Sequence, residues 1–185
     1  STTCLGMAVE KYGKENVIAL SVYYGQKHTK EIESAKKVCE YYGVEMKELD
    51  LTVIFSDSKC SLLSHSDEEI PEESYAKQIS ETNGKPVSTY VPFRNGLFLS
   101  AAASIALSND CSVLYYGAHA DDAAGSAYPD CSTDFYNAMN KAIYEGSGKQ
   151  IKVEAPFISW TKAEVVKKGL ELGVPYKYTW SCYNG

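Results

Sequence analysis

Asn16–Tyr24 reads NVIALSVYY, a short and almost unbroken apolar run carrying the β-branched residues Val17, Ile18 and Val22. A run this short is a strand, and one without polar alternation is a strand buried on both faces. Such strands belong to parallel sheets covered by helices, so the neighbouring segments should be helical. They are. Upstream, Ser1-Thr2-Thr3 can cap a helix in which Cys4, Leu5, Ala8, Val9 and Tyr12 recur at helical spacing, with Gly13 as the stop. Downstream, Thr29 to Tyr42 places Ile32, Ala35, Cys39 and Tyr42 on one face and ends at Gly43.

The alternation continues along the chain. Glu45 to Leu51 is a shorter strand, and Phe93 to Leu107 a helix rich in Ala, Leu and Ile. Ser112 to Gly117 (SVLYYG) is a second buried strand, and His119 to Asp130 is a Gly/Ala-rich loop full of carboxylates. Thr133 to Tyr144 is helical through Phe135, Met139 and Ile143; Ile151 to Ala155 is a strand; Thr161 with Glu164 forms a capping box that opens a last helix. The expected fold class is α/β, a doubly wound parallel sheet in a single domain over 1–185. Folds of this kind bind ligands at the carboxyl ends of their strands, here the loops after Tyr24, Gly117 and Ala155.

One stretch breaks the pattern. Ser56 to Thr89 is polar, acidic around Asp67-Glu68-Glu69, and punctuated by Pro71, Gly84 and Pro86, with one helical turn expected at 75–79. An excursion of this length is read as a lid or a dimer contact. Lys and Arg number 18 against 24 Asp and Glu, a formal charge of −6, which argues against a general nucleic-acid binder. No apolar run approaches the ~18 residues that span a bilayer, and the expectation is a cytosolic protein with small-molecule partners, no membrane and no nucleic acid. Cys4, Cys39, Cys60, Cys111, Cys131 and Cys182 include no C-x-x-C pair, so spacing alone indicates neither a complete zinc site nor a disulfide framework.

Five segments carry groups suited to chemistry. Ser1-Thr2-Thr3 offers hydroxyls and free N–H groups to an anion, or serves only as a cap. Tyr24-Gly25-Gln26-Lys27-His28 follows a buried strand and is otherwise a turn. Val91-Pro92-Phe93-Arg94-Asn95 sets a cation and an amide at the mouth of an apolar helix, with capping and surface roles equally open. His119-Ala120-Asp121-Asp122 with Tyr128-Pro129-Asp130-Cys131 gathers carboxylates at a strand end, suited to Mg²⁺ or to hydrogen-bond donors and otherwise solvated. Lys162, in the first turn of a helix, opposes the helix dipole unless an anion shares its site.

Taken together, STTCL, YYGQKH, TYVPFRNGLFLSAA, YYGAHADD, YPDC, APFISWTKAEVV and LGVPYKYTWSCYNG resemble the 7-cyano-7-deazaguanine synthase family. That family belongs to the PP-loop ATP pyrophosphatase superfamily. The resemblance implies ATP-dependent conversion of 7-carboxy-7-deazaguanine and ammonia to the nitrile through adenylated intermediates, with Mg²⁺ and a structural zinc; the homodimer is expected from the long Ser56–Thr89 excursion. By the same resemblance Ser1, Thr2, Thr3, Cys4 and Leu5 end a pyrophosphate loop, and Tyr24, Gln26 and Gly117 border the nucleotide. Arg94 and Lys162 serve the reacting phosphate and carboxylate, Tyr128 and Asp130 hold the guanine-like base, Asp122 meets Mg²⁺, and Cys182 is one zinc ligand.

The chain departs from the family pattern at both ends. The glycines and Asp that precede Ser1 in the phosphate loop, the first strand and the cysteines that follow Cys182 are not in this sequence. The expectation is that it is part of a longer protein. His119 stands where the family often has Asn, and the stretch between Asp122 and Tyr128 is slightly longer. Two alternatives stay open: another PP-loop adenylating enzyme acting on tRNA, and a non-catalytic nucleotide-binding module.

Overall fold

The computed structural model describes residues 1–70, 77–78, 80 and 85–181, and its contacts group the chain into two compact units. One comprises Thr2–Glu73, Ser88–Pro92 and Gly169–Gly185; the other comprises Ser1, Ser74–Val87 and Phe93–Lys168. Parallel strands alternate with helices in both. Among the described residues, no helix is long and apolar enough to cross a membrane.

The first unit opens with α1 (Thr2–Tyr12), which stops where Gly13 turns to a φ of 80°. β1 (Ile18–Tyr23), α2 (Lys30–Tyr42) and β2 (Glu45–Asp50) follow as a strand–helix–strand unit, with the strands paired in parallel from Ile18↔Glu45 to Tyr23↔Asp50. Gly43 closes α2 in the left-handed region at φ 64°, so that Val44 N–H reaches Cys39 O and Gly43 N–H reaches Glu40 O. A side chain would resist that conformation; glycine adopts it freely. The strand expected to be buried on both faces is half-buried at every position of β1. The cause is local: β1 has a single ladder neighbour among the described residues, so its other edge stays accessible.

Part of the polar excursion behaves differently from its composition. Cys60, Ser61, Leu62 and Leu63 are buried, and Leu63 is fully so. They fold back on the turn after β1: Lys27 N–H donates to Leu62 O, Ser64 N–H donates to Gly25 O, and Gln26 bridges Leu63. The apolar Leu62-Leu63 pair is the driving element, and backbone hydrogen bonds to the turn satisfy the polar groups it carries inward. Residues 71–76, 79 and 81–84 lie outside the described residues; of the turn expected at 75–79, 77–78 are described and helical.

α6 (Lys162–Glu171) ends in this unit, and a close approach is built into it. A Cβ placed on Gly169 would lie 1.8 Å from the Tyr176 hydroxyl and 2.6 Å from its Cζ. Gly169→Ala must therefore displace the Tyr176 ring, whose hydroxyl pairs with Thr3 Oγ1 at 2.9 Å. Overpacking of this kind costs about 1–3 kcal/mol. Thermal melting should show a Tm lower by about 2–4 °C for each kcal/mol; an unchanged Tm would refute the contact.

In the second unit, α3 (Arg94–Ser108), β3 (Val113–Tyr115), the single turn α4 (Ala120–Ala123), α5 (Thr133–Gly146) and β4 (Lys152–Glu154) precede the start of α6. β3 and β4 pair in parallel from Val113↔Lys152 to Tyr115↔Glu154. Leu99, Ala106, Ile143, Ile151 and Val153 form its core, drawn from α3, α5 and β4 and the residue before it. α5 is capped by Ser132, whose hydroxyl accepts from Phe135 N–H at 3.1 Å. The helix also serves β4: Asn140 Oδ1 accepts Val153 N–H at 2.8 Å and Tyr136 donates to Val153 O at 3.1 Å. These side chains pair backbone groups of Val153 that the short ladder leaves over.

Candidate active site

Because β3 and β4 run parallel, their carboxyl ends point the same way. The chain leaving β3 (116–122) and the chain leaving β4 (155–162) therefore emerge at one edge. Tyr116 N–H extends the pairing to Glu154 O, and Ala120 N–H donates to Trp160 O at 2.9 Å. The expected binding loops after Gly117 and Ala155 are brought together here.

Arg94 and Asn95 enter from the start of α3. The residue before them, Phe93, holds a left-handed φ of 53°, which costs a bulky residue roughly 1–3 kcal/mol and is characteristic of functional sites. Gly96 makes room for it, since a Cβ there would meet the Phe93 ring at 2.4 Å. Phe93 also packs edge-on to Phe135, with centroids 6.0 Å apart. The conformation thus comes with the packing of α3 on α5, and it fixes how Arg94 and Asn95 leave the helix.

Asn95 holds Asp130 from two sides. Its backbone N–H donates to Asp130 Oδ2 at 2.9 Å, and its side-chain amide reaches Asp130 O at 3.4 Å and Cys131 Sγ at 3.3 Å. The Tyr116 hydroxyl donates to the same Asp130 carbonyl. Asp130 is only 3% exposed. Burial raises its pKa, against the donors of Asn95, its own backbone amide and the Arg94 guanidinium. A carboxylate has about four acceptor sites, so capacity remains for a ligand's N–H groups. Tyr128 is buried beside it in sequence.

Its neighbours are neutral. Burial, with the acidic charges of Asp122 and Asp130, pushes the Cys131 thiol up to about 12. The Tyr116 phenol is raised far above its ordinary value, chiefly by burial. Arg94 is the cation that acts on all four groups, Tyr116, Asp122, Asp130 and Cys131.

Asp122 is raised by burial, and opposed by His119, Lys162 and Arg94. Its Oδ2 lies 3.3 Å from His119 Nε2. Among the described residues no three His, Cys, Asp or Glu side chains gather as a metal site. Magnesium needs fewer protein groups, since one or two carboxylates suffice when phosphates supply the other oxygens. Asp122 fits that pattern as a single ligand. Cys182, the zinc candidate, lies outside the described residues.

Lys162 is exposed at the first position of α6. The expected capping box is present: Thr161 N–H and Oγ1 donate to Glu164 Oε2 at 2.8 and 2.9 Å. Asp121 Oδ2 accepts Lys162 N–H at 2.8 Å. Two carboxylates thus sit at the end of the helix where Lys162 opposes the dipole, and they offset the misfit without any bound anion.

Of the candidates near the start of the chain, all but Ser1 belong to the other unit. Thr3 is buried and its hydroxyl pairs with Tyr176; Cys4 is buried with its thiol pKa raised by burial. Ser1 is exposed and Thr2 and Leu5 are half-buried at the start of α1. Gln26 is buried, and its Oε1 accepts Tyr24 N–H at 2.9 Å, which shapes the turn after β1. Sequence reasoning missed the tie of Tyr116 to Asp130 and that of Asp121 to α6. In the sequence Tyr116 is simply the second of two adjacent tyrosines, and Asp121 one acid among several.

The family model described as "Queuosine biosynthesis protein QueC" matches residues 1–185. The 7-cyano-7-deazaguanine synthase of Caldicellulosiruptor bescii is 40% identical over 185 residues, covering 100% of this chain and 79% of that protein. That of Archaeoglobus fulgidus is 40% identical over 174 residues, covering 94% of this chain and 69% of the relative. Among solved structures, the U34-tRNA thiolase NcsA from Methanococcus maripaludis with its [4Fe-4S] cluster superposes with a TM-score of 0.56 at 19% identity. That match covers 98% of this chain and 56% of the thiolase, and it bears on the fold alone, an α/β fold of the PP-loop type. With a family match over every residue and relatives near 40% identity along the whole length, the chain belongs to the QueC family of queuosine biosynthesis proteins.

Proposed function

We propose that this chain converts 7-carboxy-7-deazaguanine, ammonia and ATP into 7-cyano-7-deazaguanine through adenylated intermediates. The reading includes a single PP-loop domain acting on small molecules, in a cytoplasmic homodimer. The observation that carries it is the buried Asp130 carboxylate, held by Asn95 within the field of Arg94, in a chain akin along its length to proteins bearing the name 7-cyano-7-deazaguanine synthase.

A carboxylate resists attack by ammonia until one of its oxygens becomes a leaving group, and transfer of AMP supplies one. Forming a nitrile from the resulting amide removes the second oxygen in the same manner. The protein's part is to bind, orient and shield. Asp130 accepts hydrogen bonds from the N–H edge of the base, with Tyr128 against its face. Arg94 can fork onto a phosphate or carboxylate, a geometry that lysine cannot reproduce. Lys162 neutralises charge on the acid or its adenylate. Thr2 and the N–H groups at the start of α1 serve the pyrophosphate; the Thr3 hydroxyl is committed to Tyr176. Tyr24, Gln26 and Gly117 border the nucleotide. Mg²⁺ held by Asp122 and phosphate oxygens would screen phosphate charge, and zinc on Cys182 would be structural.

The assay is pyrophosphate release from ATP. It should require the deazaguanine acid, and Lys162→Ala should lower turnover at least roughly tenfold, about 1.4 kcal/mol of barrier. Release without the acid, or salt-sensitive binding of tRNA in its place, would overturn this function. Full turnover in Lys162→Ala would remove that residue alone.

A further inference from the structure

We infer that Asp121 is a positioning residue for Lys162, fixing the start of α6 from a loop 41 residues earlier in the chain; this rests on the role given to Lys162 above. The first N–H groups of a helix have no partner inside it. In α6 the Thr161–Glu164 box serves two of them, Thr161 N–H and, at 3.3 Å, Glu164 N–H. Lys162 N–H falls outside that exchange, and its partner is Asp121 Oδ2 at 2.8 Å.

The bond does not stand alone. Ala120 N–H donates to Trp160 O at 2.9 Å, so residues 120–121 and 160–162 are joined by one hydrogen bond in each direction. Two opposed bonds resist both sliding and rotation of one segment against the other. The α6 side is anchored in turn: Trp160 N–H donates to Phe157 O, the two rings pack 5.3 Å apart, and Phe157 is fully buried. The loop side carries Asp122 one residue on, where Lys162 acts on its carboxylate. Asp121 thereby sets where the Lys162 backbone sits relative to Asp122. Its charge also offsets the helix dipole that Lys162 opposes, so the lysine is tolerated at a position that ordinarily disfavours it.

The test is a double-mutant cycle on nitrile formation by the full-length protein, using Asp121→Ala, Asp121→Asn and Lys162→Ala. Asp121→Ala should lower kcat/KM about fivefold, whereas Asp121→Asn, which keeps an acceptor at the same reach and caps a helix as well as aspartate, should stay within about twofold. Combined with Lys162→Ala, Asp121→Ala should cost less than about twofold more, because its effect passes through the lysine. A loss from Asp121→Ala that is undiminished without Lys162, or an Asp121→Asn variant as impaired as the alanine, overturns the inference. If Lys162→Ala alone is fully active, the role of Lys162 has failed and the positioning claim falls with it; if only the cycle is additive, the positioning claim alone has failed.

Discussion

Asp130→Asn is expected to lower kcat/KM for the deazaguanine acid at least about a hundredfold, about 2.7 kcal/mol of barrier. A guanine-like edge presents a ring N–H and an exocyclic amine side by side, and a carboxylate can accept both. An amide offers one acceptor and sets its NH₂ against the other donor. Inside a dry site such a mismatch costs both hydrogen bonds, and sites built on paired polar groups discriminate steeply for that reason. The stability of the variant separates this from mere damage. Burial raises the pKa of Asp130 in the fold, so the ionised form is disfavoured there relative to the unfolded chain. That cost is fully present above the folded pKa and is relieved as the pH falls toward the unfolded value. Asparagine does not titrate. The Tm of Asp130→Asn minus that of the parent should therefore rise as the pH climbs from about 4, the ordinary aspartate range. A variant that retains full activity, or a Tm difference that falls with pH, contradicts the account.

The same balance of burial against hydrogen bonding explains how this site was legible from sequence only in part. The alternation of strand and helix was readable because it is a matter of periodicity and local caps. Gly13 and Gly43 end helices where expected, and Thr161 and Glu164 make their box. Residues after Gly117 and Ala155 meet because parallel strands share a carboxyl edge, which topology alone demands. What could not be read depends on tertiary contact. No pattern around Thr3 announces that Tyr176 will occupy its hydroxyl, and none around Tyr116 announces a bond to the Asp130 carbonyl. Cys60–Leu63 was hidden in a polar stretch, since a short apolar run says nothing of where it packs. At Lys162 such a contact relieves a conflict visible in the sequence. Its conflict with the helix dipole is real in sequence, yet Asp121, remote along the chain, supplies the compensating charge. The case for Lys162 then rests on its action on Asp122 and on the family motif rather than on unrelieved charge.

Arg94 should yield the other large effect, and two substitutions divide its roles. Arg94→Met removes both fork and charge and should lower kcat/KM about a hundredfold or more; Arg94→Lys keeps the charge and loses the fork, and should lower it about tenfold. Their pH profiles should differ as well. Asp130 faces Arg94 and the Asn95 donors from α3, the Tyr116 hydroxyl from the end of β3, and the neighbouring Cys131. Both Tyr116 and Cys131 are held neutral near pH 7, the thiol with its pKa near 12. The guanidinium is thus the cation that restrains the upward push of burial on Asp130. Without it the carboxyl keeps its proton to a higher pH. Since base recognition needs the ionised form, the acid limb of the kcat/KM profile should move to higher pH in Arg94→Met and stay nearly in place in Arg94→Lys. If both variants shift alike, the limb reports the lost fork rather than the lost charge; if neither shifts, Asp130 is not the group whose protonation sets it.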